Sequence, residues 1–185
     1  MKLEIPDNKY QTQCSFLPLT IHYSPLTRMS FNKKLARQLI NPWKLRMWML
    51  RRLPMGLFSG MVIESLDENG CKVMLKDRFW IHNPFGSVFW AVMGMAAELS
   101  TGALVYAYVS GTNTLYILTS VQGEFLKKVR GKSFYFCPSG QDVLRSLNSL
   151  KNPGDTCTVI LPVTAYDQVG QPVAEFKFYW QLRKA

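Results

Sequence analysis

From Phe79 to Gly123 the chain runs for 45 residues with a single formal charge, Glu98. This stretch limits the available folds more than any other. Its middle, Ser87 to Val109, is long and apolar enough to cross a bilayer. It also holds Glu98, Ser100, Thr101 and Gly102 at mid-span, where a lipid-facing helix is most penalised. The segment therefore reads as a buried helix, opening near Gly86–Ser87 after Pro84, around which the other elements must wrap.

Counting along that helix, Ser87, Ala91, Gly94, Glu98 and Thr101 recur at spacings of 4, 3, 4 and 3. The spacing predicts one small, polar face among large apolar ones. Small side chains allow close approach to the backbone by a ligand chain, a neighbouring helix or the same helix of a second subunit. A carboxylate on such a face, without a cationic partner, has a raised pKa because desolvation disfavours its charged form. It is then a candidate base or nucleophile. The plainer alternative is a structural Glu98, capped by amides or by Arg or Lys. Upstream, the free amides of Gly86 and Ser87 at the expected helix start could polarise a carbonyl oxygen. Asn83 is either a cap or a substrate contact, and His82 reads first as a structural histidine.

Strands surround this helix. Met61–Leu66 and Cys71–Arg78 flank Asp67-Glu68-Asn69-Gly70, where Asn-Gly predicts a tight hairpin with positive φ angles. Further strands are expected at about Leu115–Phe125, Lys132–Cys137, Thr156–Tyr166 and Val173–Arg183. In the last, Ala174, Phe176, Phe178, Trp180 and Leu182 alternate with polar residues and Tyr179. A short helix with Ser139 and Asp142 in capping-box spacing interrupts them. The order is two strands, one long helix, then four strands. It predicts an α+β fold in which five or six mostly antiparallel strands wrap a central helix.

The net charge of +10 is local. Between Phe31 and Gly56 lie seven bases (Lys33, Lys34, Arg37, Lys44, Arg46, Arg51, Arg52) and no acid. Two helices are expected there, about Phe31–Ile40 and Pro42–Leu53, with Asn41 capping the second and Pro54 and Gly56 ending it. Trp43, Met47, Trp48 and Met49 among those bases suit an anionic membrane surface; the alternative is a helix packed on the sheet with its bases in water. No recognition module accompanies the charge, so nucleic acid is not the expected partner. Residues 1–30, broken by Pro6, Pro18 and Pro25, read as an irregular arm, and 31–185 as one domain.

Four cysteines (Cys14, Cys71, Cys137, Cys157) without a CxxC pair, and two histidines (His22, His82), argue against a disulfide scaffold and a metal centre. The N-terminus has no apolar run of the secretory kind. A cytoplasmic setting is expected, with a peripheral membrane position as a second reading.

Asn83-Pro84-Phe85-Gly86-Ser87, then Ala97-Glu98-Leu99, Thr101-Gly102 and the run Gln122-Gly123-Glu124-Phe125-Leu126-Lys127-Lys128-Val129-Arg130-Gly131 resemble the hotdog superfamily. The likeness is to thioesterases of the phenylacetyl-CoA type, and most to an uncharacterised branch known as a domain of unknown function. It covers about Leu53 to Arg183. It implies a hotdog fold, a homodimer or higher homo-oligomer, and hydrolysis of acyl-CoA or acyl-carrier thioesters at a groove on the subunit interface, with no cofactor or metal. On it, the Gly86 and Ser87 amides hold the oxyanion and Glu98 activates water or attacks directly. Asn83 supports that site, and Ala91, Gly94 and Thr101 line the groove. Lys127, Lys128 and Arg130 at the tunnel mouth hold CoA phosphates, or else form a solvated strand edge. The thioesterase type has His-Gly-Gly where this chain has Phe85-Gly86-Ser87. Its carboxylate matches Gly94, which places Glu98 one turn, about 5.4 Å, further along. A non-catalytic acyl or lipid binder with the same groove is the alternative.

Overall fold

A computed structural model describes residues 31–185 of the protein; the expected arm at 1–30 lies outside the described residues. The elements are α1 (Lys33–Ile40), α2 (Pro42–Arg52), α3 (Pro54–Ser59), β1 (Met61–Leu66), β2 (Cys71–Leu75), a 3-10 turn (Phe79–Ile81), α4 (Trp90–Val109), β3 (Thr114–Phe125), β4 (Ser133–Cys137), α5 (Gly140–Ser149), β5 (Thr156–Asp167) and β6 (Pro172–Lys184).

All strand pairs are antiparallel, and the six strands form one sheet in the order β1-β2-β4-β5-β6-β3. Period-two patterning gives β2, β4, β5 and β6 one buried apolar face, whereas β3 is exposed along nearly all its length. Cys71, Val73 and Leu75 of β2 are fully buried, as are Phe178 and Leu182 of β6, with Phe176 and Trp180 close behind. Most of α4 is enclosed by the sheet, which fits its length and apolar composition without a bilayer. Two side chains lock the helix in place. The Trp180 indole donates to Thr101 Oγ1 at 3.1 Å, and the Tyr108 hydroxyl donates to the Glu68 carbonyl at 2.8 Å.

Several local expectations need correction. The β1–β2 turn has no positive φ, since neither Asn69 nor Gly70 adopts one. The Asp67 side chain instead accepts from the Asn69 and Gly70 amides. Gly70 is needed for space: a Cβ there would lie 2.4 Å from the Cys137 carbonyl oxygen. Asn41 caps α2 through the Trp43 and Lys44 amides as expected. Pro54 does not end the helical region, however; it opens α3, in the first-turn position where its missing N–H costs nothing. Ser139 precedes α5 without a side-chain cap bond, and its carbonyl accepts from the Asp142 and Val143 amides.

The largest correction concerns the start of α4. The helix begins at Trp90, not at Gly86–Ser87. Asn83 Oδ1 accepts from the Phe85 and Ser87 amides and from the Ser87 hydroxyl. The Gly86 amide donates to the Asn83 carbonyl, and Gly86 takes φ +70°. An isolated bridge between His82 and Val88 closes the loop. Asparagine side chains offer the backbone a turn that competes with helix in this way. Here the competition delays the helix by three residues.

Candidate active site

Glu98 lies midway along α4 and is exposed. It lines a cavity of about 950 Å³ walled by Trp48, Met95, Leu99, Tyr106 and Tyr116, with Arg51 and Arg52 of α2 at one side. The Glu98 side chain still reaches water. The apolar walls nevertheless desolvate its carboxylate and hold its pKa above the ordinary value. Neither arginine forms an ion pair with it, and among the described residues no donor is bonded to its carboxylate. The expected structural cap on Glu98 is therefore not found. What α4 presents is a carboxylate in a largely apolar groove whose lining also includes Arg51 and Arg52.

The proposed small face does not hold together. Thr101 is fully buried, accepting from Trp180 and donating to the Glu98 carbonyl at 3.0 Å, so it faces the sheet. Ser87 precedes the helix. Ala91 and Gly94 are half-buried and line neither this cavity nor the next, although space around Gly94 is open, with nothing within 4 Å of where a Cβ would sit. The 3.6-residue period fixed the angular positions correctly; the curvature of the sheet decided which of them it covers.

A second, smaller cavity of about 330 Å³ collects Asn83, Ser87, Trp90, Met93, Lys127 and Lys128. It brings together the loop before α4 and the expected basic mouth. Arg130 is otherwise engaged: its Nε donates to the Gly86 carbonyl at 2.9 Å and braces the loop. The Gly86 and Ser87 amides are both taken up within that loop, so they are not free donors for an oxyanion. The free amides belong to the true helix start. Trp90 and Ala91 donate to no acceptor among the described residues. The sequence period could not reveal this shift, because it arises from the side-chain bonds of Asn83.

His82 is paired with an acid. Its Nε2 contacts Asp77 Oδ1, and Asp77 Oδ2 accepts from the Gly131 amide at 2.7 Å. Partial burial pushes the Asp77 carboxyl up, but the Gly131 amide and the His82 ring outweigh it, and the pKa lies below the ordinary value. A carboxylate depressed in the folded state adds stability above its unfolded pKa, near 3.9, and that stability is lost as pH falls through the lower folded value. Melting temperature is therefore expected to drop more steeply on acidification below about pH 4 in the parent than in Asp77→Asn, in thermal scans across pH.

Among the described residues, no group of three or more His, Cys, Asp or Glu side chains gathers as a metal site.

The family model described as Domain of unknown function (DUF4442) matches residues 43–182. No curated protein matches the chain. Solved structures share its fold at low identity. One is a Pseudomonas aeruginosa protein of unknown function described as a probable thioesterase: 19% identity, TM-score 0.68, covering 80% of this chain and 99% of that one. A second, described as a candidate thioesterase from Shewanella oneidensis, has 15% identity and a TM-score of 0.64 over 80% and 96%. A third, a mutant thioesterase from Pseudomonas aeruginosa, has 16% identity and a TM-score of 0.62 over 82% and 99%. The six-stranded antiparallel sheet around α4 is a hotdog fold, shared with these structures.

Proposed function

The chain belongs to the DUF4442 family, and from that premise we propose that it hydrolyses acyl thioesters, of CoA or of an acyl carrier, in the groove beside Glu98. The observation that carries this reading is Glu98 itself: a partly desolvated carboxylate, without an ion-pair partner among the described residues, lining a largely apolar cavity of about 950 Å³. An acyl chain suits walls of Met95, Leu99 and Tyr106, and anionic groups of the carrier suit Arg51 and Arg52. In the reaction, ionised Glu98 takes a proton from water as the water oxygen attacks the thioester carbonyl. The carbonyl oxygen becomes an oxyanion. The carbon–sulfur bond then breaks, the acid leaves, and the thiolate picks up the proton.

That oxyanion needs a donor near the attacked carbon. Trp90 and Glu98 are eight residues apart on α4, about 12 Å along the helix, too far for one protomer to present both to one carbonyl. A second protomer is the proposed source, which places the site at a homodimer interface. The form of β3 supports this pairing. It is a 12-residue edge strand bonded on one side to β6, with Leu115, Ile117, Val121 and Phe125 exposed. Long apolar edges of this kind recruit further strands. Sedimentation is expected to give a dimer at micromolar concentration; a monomer there removes the interface site.

The test of activity is a panel of acyl-CoA substrates with detection of the free thiol. Release above the uncatalysed rate supports the hydrolase. Saturable acyl-CoA binding without release supports instead a non-catalytic acyl binder in the same groove, a reading favoured by the engagement of the Gly86 and Ser87 amides within their own loop.

A further inference from the structure

Helix α2 is apolar on two opposite sides. Leu45 and Met49 are buried to 1% against the body of the protein, while Trp43, Met47 and Leu50 stand 74%, 53% and 55% exposed. The exposed three are spaced i, i+4, i+7 and form one outward stripe. Lys44 and Arg51 flank the stripe on one side and Arg46 on the other. Of the seven bases between Phe31 and Gly56, Lys33 alone has a carboxylate partner among the described residues, Glu68 at 2.9 Å. Just beyond the helix, α3 adds Met55 and Phe58, 66% and 64% exposed.

Packing among the described residues does not explain the outward stripe, since α2 already buries Leu45 and Met49 on its other side. We infer that α2 docks the protein on an anionic membrane surface, with Trp43, Met47 and Leu50 entering the headgroup boundary and Lys44 and Arg46 meeting lipid phosphates. Two observations favour a lipid surface over other anionic partners. The bases surround an apolar stripe rather than forming a continuous patch, and apolar side chains gain nothing against a phosphate backbone. Trp at the edge of such a stripe matches the polarity gradient of the interface. Burial of the stripe and attraction of the bases are the two signals that together give stable peripheral anchoring. Met47 and Arg51 also line the Glu98 cavity, so docking in this pose turns the mouth of the groove toward the bilayer. The docking does not depend on the hydrolase reading, and its test requires no turnover.

The experiment is co-sedimentation of the full chain with vesicles of phosphatidylcholine alone and of phosphatidylcholine with phosphatidylglycerol, followed by tryptophan emission. Binding to the phosphatidylglycerol vesicles is expected, with a blue shift, and with loss of affinity as salt rises toward 1 M, where screening shortens to about 3 Å. Lys44→Glu and Arg46→Glu are each expected to weaken binding about fivefold or more, the worth of one base at a charged surface. Trp43→Ser should lose roughly tenfold and most of the blue shift, from removal of a large apolar anchor. All three positions are exposed, so melting should stay at the parent value, which separates lost docking from lost fold. Equal binding to neutral and anionic vesicles, no binding to either, or parent-level binding by both Trp43→Ser and Lys44→Glu overturns the inference. Duplex DNA binding that Trp43→Ser leaves intact while vesicles are ignored overturns it too, and assigns the bases to nucleic acid.

Discussion

Glu98→Gln is expected to lower thioester hydrolysis by roughly 10²–10⁴-fold, the usual contribution of a general acid or base, while the protein stays folded. The amide is isosteric, and the substitution removes no ion pair or hydrogen bond of the carboxylate, since none is present among the described residues. Glu98→Ala should fall in rate by a similar factor. The direction of the pKa shift sets two further outcomes. Burial raises the folded pKa of Glu98, so the unfolded chain ionises first. Ionisation therefore opposes folding, and stability falls as pH rises from the ordinary value near 4.3 through the raised folded value. The Gln variant lacks that loss and should melt no lower than the parent at neutral pH. In the parent, activity should rise with pH through the raised Glu98 pKa, because only the ionised form accepts a proton from water. Hydrolysis at the parent rate by a folded Gln variant would remove Glu98 from the mechanism.

Gly140→Ala is expected to destabilise the fold by about 3 kcal/mol, the upper end for overpacking. A Cβ at Gly140 would sit 2.2 Å from the Glu68 carbonyl oxygen and 2.9 Å from the Asn69 carbonyl carbon. Both are backbone atoms, so no side chain can swing aside. The contact also joins two parts of the core. The β1–β2 turn is held against the start of α5 by the Gly140 amide on the Asn69 carbonyl, at 2.8 Å. The Tyr108 hydroxyl and Gln141 Nε2 both donate to the Glu68 carbonyl. Pushing the turn away strains all three bonds. At about 2–4 °C per kcal/mol for a domain of this size, the melting point should drop by roughly 6–12 °C. Gly94→Ala is the contrast. Gly94 is helical with nothing within 4 Å of its Cβ position, and alanine is favoured over glycine in a helix by about 1 kcal/mol, so melting should hold or rise. Differential scanning calorimetry of the two variants separates a glycine needed for space from one that is not. A Gly140→Ala protein melting with the parent refutes the clamp.

The succession of strands along the chain and the burial of alternate residues in β2, β4, β5 and β6 were legible in the sequence, because period two is a property of the extended backbone; the order of strands in the sheet and the exposure of β3 were not. β6 illustrates the legible part: every second residue from Ala174 to Leu182 is buried as its alternation predicts. Glu98 was also legible, since a lone charge in 45 neutral residues needs no contacts to be noticed. The tertiary structure decided the rest. Asn83 bonds delayed α4 to Trp90 and absorbed the Gly86 and Ser87 amides. The Trp180 indole claimed Thr101 across 79 positions of sequence. The groove beside Glu98 is lined by residues of α2 as well as of α4, among them Arg51 and Arg52. Helical spacing gives the angle of each side chain about its own axis. Which angles face sheet, groove or solvent depends on contacts far apart in the chain, and a local period carries no information about them.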